Sequence, residues 1–135
     1  MVKVFVNGSF DIIHRGHLEL LKYARSLGDE VLVAIDTDER IKKLKGKNRP
    51  INTQIDRQVM LDSIKYVDRV CLFGSDQELI DIIKQYDTDI MVKGSDYKNR
   101  PIIGQEYCKR IEFFNILDNY STTKTIQYIL REIGS

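Results

Sequence analysis

The sequence carries almost no net charge. Its 21 basic and 20 acidic residues leave a formal charge of +1. That excludes bulk attraction to nucleic acid or to an anionic membrane, so any affinity for anions has to come from local clustering. No apolar run is long enough to span a bilayer. No N-terminal basic, apolar and small-residue pattern directs export. Cysteine is scarce as well. Cys71 and Cys108 lack CxxC spacing, and two thiols without companions make no zinc site. Cys71 lies in an apolar run and reads as a buried, reduced thiol. Repeats, low-complexity tracts and interdomain linkers are absent too. These absences predict an intracellular, cytoplasmic protein that engages neither membrane nor nucleic acid. At 135 residues it is one domain, 1–135, long enough for a real core.

What is present is an alternation of strands and helices. Val2 to Val6 is a short β-branched run that predicts a buried strand. Apolar residues at 18, 20, 21, 24 and 27 predict a helix, with Gly28 as its C-cap. Glu30 to Ile35 is a second strand, which implies a parallel crossover. Helical spacing returns over Gln54 to Ile64, through Ile55, Val59, Met60 and Leu61. Arg69 to Phe73 is a third strand. Glu78 to Tyr86 is a helix with Leu79, Ile82 and Ile83 facing inward, and Asp89 to Val92 is a fourth strand. Arg110 to Leu117 is an edge-like fifth strand, and a last helix runs from Ser121 through Ile133. The pattern predicts an α/β fold, a doubly wound parallel sheet. Ligands in such sheets bind beyond the carboxyl ends of the strands, at a switch point. Four segments should converge there: the His14/His17 loop, Asp36 to Lys45, Gly94 to Asp96, and Ser121 to Thr123.

The most informative string is Asn7-Gly8-Ser9-Phe10-Asp11-Ile12-Ile13-His14-Arg15-Gly16-His17. It falls where the first strand gives way to a helix beginning near His17. A helix start presents unpaired backbone N–H groups and the positive dipole end, a ready anion site. Imidazoles placed there add hydrogen bonds to phosphate oxygens. Gly8 lets the chain turn sharply, and Gly16 lets backbone approach a phosphate. The ring N–H groups would stabilise the charge that builds as a pyrophosphate leaves. Either histidine alone would read as a cap or a core contact. The pair in this setting points to nucleotide phosphate chemistry.

Other candidates carry two readings each. The dense basic run of Arg40, Lys42, Lys43, Lys45, Lys47 and Arg49 is, for most members, a solvated face. Arg57 is a surface arginine, or one paired with Asp56 or Asp62. Asp11 and Asp38, near strand ends, can brace the structure, orient a histidine or the lysine loop, or support Mg²⁺ through water. Gly94-Ser95-Asp96 is an ordinary turn, or a nucleotide site in which Asp96 accepts from a ribose hydroxyl or base amine. Ser121, Thr122 and Thr123 cap a helix, or grip β- and γ-phosphates at its N-terminus.

The string from Gly8 to His17 resembles the signature of the HxGH nucleotidyltransferase superfamily, in its cytidylyltransferase-like branch. Ser121-Thr122-Thr123-Lys124 resembles the second signature of that branch. The resemblance spans nearly the entire chain. Several strings resemble the adenylyltransferase domain of ADP-heptose synthesis: Asn7-Gly8, Leu44-Lys45-Gly46, Arg49-Pro50-Ile51-Asn52 and Val92-Lys93-Gly94-Ser95-Asp96-Tyr97. Glycerol-3-phosphate cytidylyltransferase is the next branch. It carries an Arg-Thr pair where this chain has Ile116-Leu117-Asp118-Asn119-Tyr120. Asn119 stands where both have glycine, and asparagine tolerates a left-handed backbone.

The resemblance implies a Rossmann-like nucleotidyltransferase fold and an enzyme that joins a nucleoside monophosphate, from ATP, to a sugar phosphate such as heptose 1-phosphate. Catalysis would fall to His14, His17 and Lys45. The nucleotide would be held by Ser9, Phe10, His14, Gly16, His17, Gly94, Asp96, Asn119, Ser121, Thr122 and Thr123. The acceptor would meet Asp11, Asp38, Lys43, Lys45 and Arg57, and Arg57 would hold a substrate phosphate or brace the site. Mg²⁺ would come with the triphosphate, without a metal site on the protein. A homodimer is expected, and a sugar kinase, where the heptose-type domain is fused to one, is expected on a separate chain. Two alternatives remain: CTP with glycerol 3-phosphate, and a regulatory module that binds nucleotide without turnover.

Overall fold

The computed structural model describes residues 1–115 and 122–134. Five strands, β1 (Lys3–Gly8), β2 (Glu30–Asp36), β3 (Arg69–Phe73), β4 (Ile90–Gly94) and β5 (Arg110–Phe114), form one sheet in the order β3-β2-β1-β4-β5. Every pairing is parallel. The helices are α1 (Arg15–Leu27), α2 (Asp38–Lys45), α3 (Gln54–Asp62), α4 (Asp76–Gln85) and α5 (Thr122–Gly134), with short 3-10 turns at Ser95–Tyr97 and Gln105–Tyr107. This is the doubly wound α/β sheet, Rossmann-like, that the alternation predicted.

Strand residues alternate between two cores, as a period of two requires for strands covered on both faces. Val4, Val6, Val31, Val33, Ile35, Ile90 and Val92 pack on one face against Leu21 and Ala24 of α1 and Leu61 of α3. Phe5, Leu32, Ala34 and Met91 pack on the other against Leu79 and Ile83 of α4. The chain builds outward from β1 to β3, then returns to lay β4 on the opposite side of β1. The switch point is therefore the crevice beyond the carboxyl ends of β1 and β4.

The structure departs from the sequence reading in several places. Helix α1 starts at Arg15, two residues earlier than expected, because His14 is its cap. The basic stretch holds a helix, α2, that the pattern did not announce. Its N-cap Thr37 accepts from the Arg40 N–H at 3.3 Å, and Asp38 and Glu39 open it while Lys42, Lys43 and Lys45 close it. That charge order suits the helix dipole, and Ile41 is its one buried residue. On α3 the apolar residues Ile55, Val59 and Met60 are exposed; of that spacing Leu61 is buried, and Arg57 is buried beside it. Arg57, 1% exposed, is thus not a surface arginine. Cys71 is half-buried rather than buried, and both cysteines are free thiols. Strand β5 is described to Phe114; Ile116 and Leu117 of the expected strand lie outside the described residues.

Candidate active site

The site begins where β1 ends. Beyond Gly8 the chain turns through Phe10, whose φ of 49° is left-handed and costs a non-glycine residue roughly 1 kcal/mol. The Phe10 ring folds back over Gly8: a Cβ on Gly8 would lie 3.1 Å from Phe10 Cε2. A glycine at position 8 makes room for that ring, which in turn lies 5.0 Å from the His17 ring, centroid to centroid.

His14 and His17 cap α1 reciprocally. His14 Nδ1 accepts the Gly16 N–H at 3.1 Å, and His17 Nδ1 accepts the His14 N–H at 3.1 Å. The two rings stack at 3.8 Å. A ring nitrogen that accepts an N–H carries no proton, so this network assigns both imidazoles as neutral, with the proton on Nε2. Burial lowers the pKa of both. His17, with His14 adding to the effect, is pushed down to about 4. Capping and phosphate binding therefore do not compete: Nδ1 fixes the ring, and Nε2–H is the donor a phosphate oxygen can take.

Asp11 anchors the segment that follows α2. It is buried, and its carboxylate accepts the N–H of Ile51 and of Asn52, each at 2.7 Å. The Asn52 amide donates back to the Asp11 carbonyl at 2.6 Å. Arg57 locks the same region from below. Its guanidinium donates to the carbonyls of Asn52, Ser9 and Asp36 at 3.0, 2.9 and 2.8 Å, and to the Asp38 carboxylate at 2.8 Å. This is the geometry of a brace joining the ends of β1 and β2 to α3.

These elements open onto a cleft of about 750 Å³ at the carboxyl edge of β1, β2 and β4. Ser9, Phe10, His14, Gly16, His17, Gly94, Asp96, Thr122 and Thr123 all line it, as does Lys45 from the end of α2. The Thr122 hydroxyl donates to the Ile12 carbonyl at 3.2 Å, which ties the start of α5 to the histidine loop. Asn119 and Ser121 lie outside the described residues. Four residues expected at the acceptor do not line the cleft. Asp11 and Arg57 are buried in the network above, Asp38 is paired with Arg57, and exposed Lys43 pairs with Glu39 at 3.6 Å.

The cleft also holds residues to which the sequence reading gave no site role of their own. Asn7 and Lys93 line it, as do Asp36 and Arg40, which pair at 3.0 Å. Asn7 and Lys93 continue the Phe5 and Met91 face by two residues, so the period-two register was the signal that locates them. Arg49 lines the cleft with its Nε 3.6 Å from the Asp11 carboxylate. That nitrogen is buried without a hydrogen-bond partner among the described residues. Its neighbours in the basic run concealed it. Among the described residues no three imidazole, thiol or carboxylate groups converge as a metal site, and no helix is long and apolar enough to cross a membrane.

Residues 5–128 match the cytidylyltransferase-like family model. The chain is 44% identical over 128 residues to the bifunctional protein HldE of Helicobacter hepaticus, covering 95% of this chain and 26% of that protein. It is 41% identical over 126 residues to HldE of Campylobacter fetus subsp. fetus, covering 93% and 27%. The chain thus spans about a quarter of the length of these relatives. A crystal structure of the lipopolysaccharide core biosynthesis protein from Thermoplasma volcanium superposes with a TM-score of 0.70 at 27% identity, over 87% of this chain and 99% of that one. A parallel sheet with its switch-point cleft, the paired histidines on that cleft and a family match over nearly its whole length place this chain in the cytidylyltransferase-like family of nucleotidyltransferases.

Proposed function

We propose that the domain transfers AMP from ATP to the phosphate of a sugar 1-phosphate of the heptose type, releasing pyrophosphate. The observation that carries the reading is the meeting of His14, His17, Lys45, Thr122 and Thr123 on one cleft. The identity to HldE proteins and the strings shared with the heptose-type branch support ATP and a sugar acceptor.

The acceptor phosphate is already an anionic nucleophile, so no general base is required. One of its oxygens attacks the α-phosphorus; the bond from that phosphorus to the bridging oxygen breaks, and pyrophosphate departs with the electron pair. No covalent intermediate on the protein is needed. The chain's part is alignment and charge stabilisation. Neutral His14 and His17 donate through Nε2–H to the phosphate oxygens on which charge grows. Thr122 and Thr123, at the positive end of α5, hold the β- and γ-phosphates. Lys45 bridges the acceptor phosphate and the α-phosphate, which reduces their mutual repulsion. Mg²⁺ carried by the triphosphate supplies further neutralisation of the phosphate charge. A homodimer is the expected assembly.

The test is pyrophosphate release over the four nucleoside triphosphates and a panel of sugar 1-phosphates and glycerol 3-phosphate. The expected outcome is turnover with ATP and a sugar 1-phosphate. Turnover confined to CTP with glycerol 3-phosphate would replace this reading with the glycerol one. Tight ATP binding without release on any acceptor would make the domain a nucleotide-binding module.

A further inference from the structure

Three residues at the carboxyl edge of the sheet share the face opposite the histidines. Asn7, Asp36 and Lys93 follow Phe5, Ala34 and Met91 by two positions on β1, β2 and β4, and those three pack in the core beneath α4. The histidines sit on α1, which covers the other face. The cleft wraps around the end of β1 and includes both groups.

Lys93 is the unusual member. The residue is half-buried, and its ammonium donates to Asn7 Oδ1 at 2.8 Å, with Nζ 4.9 Å from the Tyr97 ring centroid. No carboxylate pairs with it among the described residues: Asp36 is engaged by Arg40 at 3.0 Å. An ammonium has three N–H groups, and Asn7 takes one. Burial pushes the Lys93 pKa down to about 8, against the opposing pull of Asp36 and Asp96. A cation kept in such a place without an ion-pair partner is costly to the fold, and the cost is understandable if a ligand completes its hydrogen bonds.

The direction of the chemistry identifies which ligand. In phosphoryl transfer the attacking and leaving oxygens lie roughly in line on opposite sides of phosphorus. If the leaving pyrophosphate lies against the α1 and α5 N-termini, the acceptor enters from the α4 side, over Asn7, Asp36 and Lys93. The mixture of groups there, an ammonium and an amide beside carboxylates, suits a ligand that both donates and accepts hydrogen bonds. A second polyanion would meet Asp36 and Asp96; a polyhydroxylated body would use them. Resting on the reading of the cleft as a nucleotidyltransferase site, we propose that Lys93, oriented by Asn7, is an acceptor-specificity residue that hydrogen-bonds the hydroxyls of the sugar body and not its phosphate.

Lys93→Met tests this, because it nearly keeps the length of the side chain and removes a half-buried charge, a change the fold tolerates. Calorimetry of the wild type and the variant would use three probes: mannose 1-phosphate, methyl phosphate, and an ATP analogue with a methylene between the α- and β-phosphates. The expected result is that the variant binds mannose 1-phosphate about 10- to 100-fold more weakly, the size of losing a charged hydrogen-bond donor. Methyl phosphate and the ATP analogue should stay within threefold. Equal weakening of all three probes, loss on the ATP analogue alone, or loss on methyl phosphate would overturn the assignment. So would a wild type that binds mannose 1-phosphate no more tightly than methyl phosphate. The two readings fail separately. Discrimination at Lys93 without any pyrophosphate release would sink the proposed reaction alone. Release with an acceptor that ignores Lys93 would sink this assignment alone.

Discussion

The carboxylate of Asp11 takes the backbone N–H of Asn52 at 2.7 Å, and the Asn52 side chain returns a hydrogen bond to the Asp11 carbonyl. One residue is in the histidine loop and the other is 41 positions away, just past the basic stretch. The pair fixes where the chain from Lys45 to Asn52 re-enters the fold. Asp11→Asn exchanges a carboxylate oxygen for an NH₂ facing a backbone donor. It should lower unfolding free energy by about 2–4 kcal/mol, the cost of leaving buried groups unsatisfied. Denaturant midpoints check this. A loss under 0.5 kcal/mol would show that the anchor is dispensable.

Arg57 gives a sharper separation of structure from binding. Its guanidinium serves three carbonyls and one carboxylate at once. Lysine cannot reproduce that planar fork. Arg57→Lys should cost about 3 kcal/mol or more in stability, while the KM values of the protein that remains folded change less than threefold. A selective rise in acceptor KM with unchanged melting temperature would return Arg57 to the substrate.

Lys45 and Lys43 lie on the same short helix, but only Lys45 reaches the cleft. Lys43 is exposed and pairs with Glu39. Lys45→Met is expected to reduce kcat/KM by about two decades or more, as for other donors that act on transition-state charge. Lys43→Met should stay within threefold. Steady-state pyrophosphate release reads both, and equal effects would mean that the run works as a diffuse charge field.

The His17 pKa fixes the sign of a pH effect. Folding lowers it from the ordinary 6.5 to about 4, so the unfolded chain binds more protons between those values. The stabilising contribution is complete above pH 6.5 and is lost as pH falls through 6.5 toward 4. The melting temperature should fall over that window, by several degrees, and His17→Gln should flatten the slope. NMR titration of the His17 ring should show a midpoint far below that of a free imidazole. A midpoint near 6.5 would remove the neutral, stacked pair.

Much of this was legible in the chain. Val31 to Ile35 lies buried on both faces and so reads as an unbroken apolar run, and the same holds for the core of β1 and β4. Helix α2 was hidden because only Ile41 is buried on it, so no apolar stripe exists to detect. The burial of Arg57 was hidden for a different reason. An arginine goes inside only if carbonyls come to meet it, and these come from Ser9, Asp36 and Asn52, remote from one another in sequence. Lys93 and Asn7 were visible as residues but not as a pair, since their contact crosses two strands separated by 86 positions.

The account turns on what the stacked imidazoles do, and one comparison addresses it directly: pyrophosphate release by wild type and His17→Ala, with ATP and a sugar 1-phosphate, on protein whose circular dichroism is unchanged. The predicted result is a fall in kcat of about two to three decades, the usual consequence of removing one donor from a site of developing negative charge. Turnover within a few-fold of wild type would contradict the account, because the histidines would then be helix caps and nothing more.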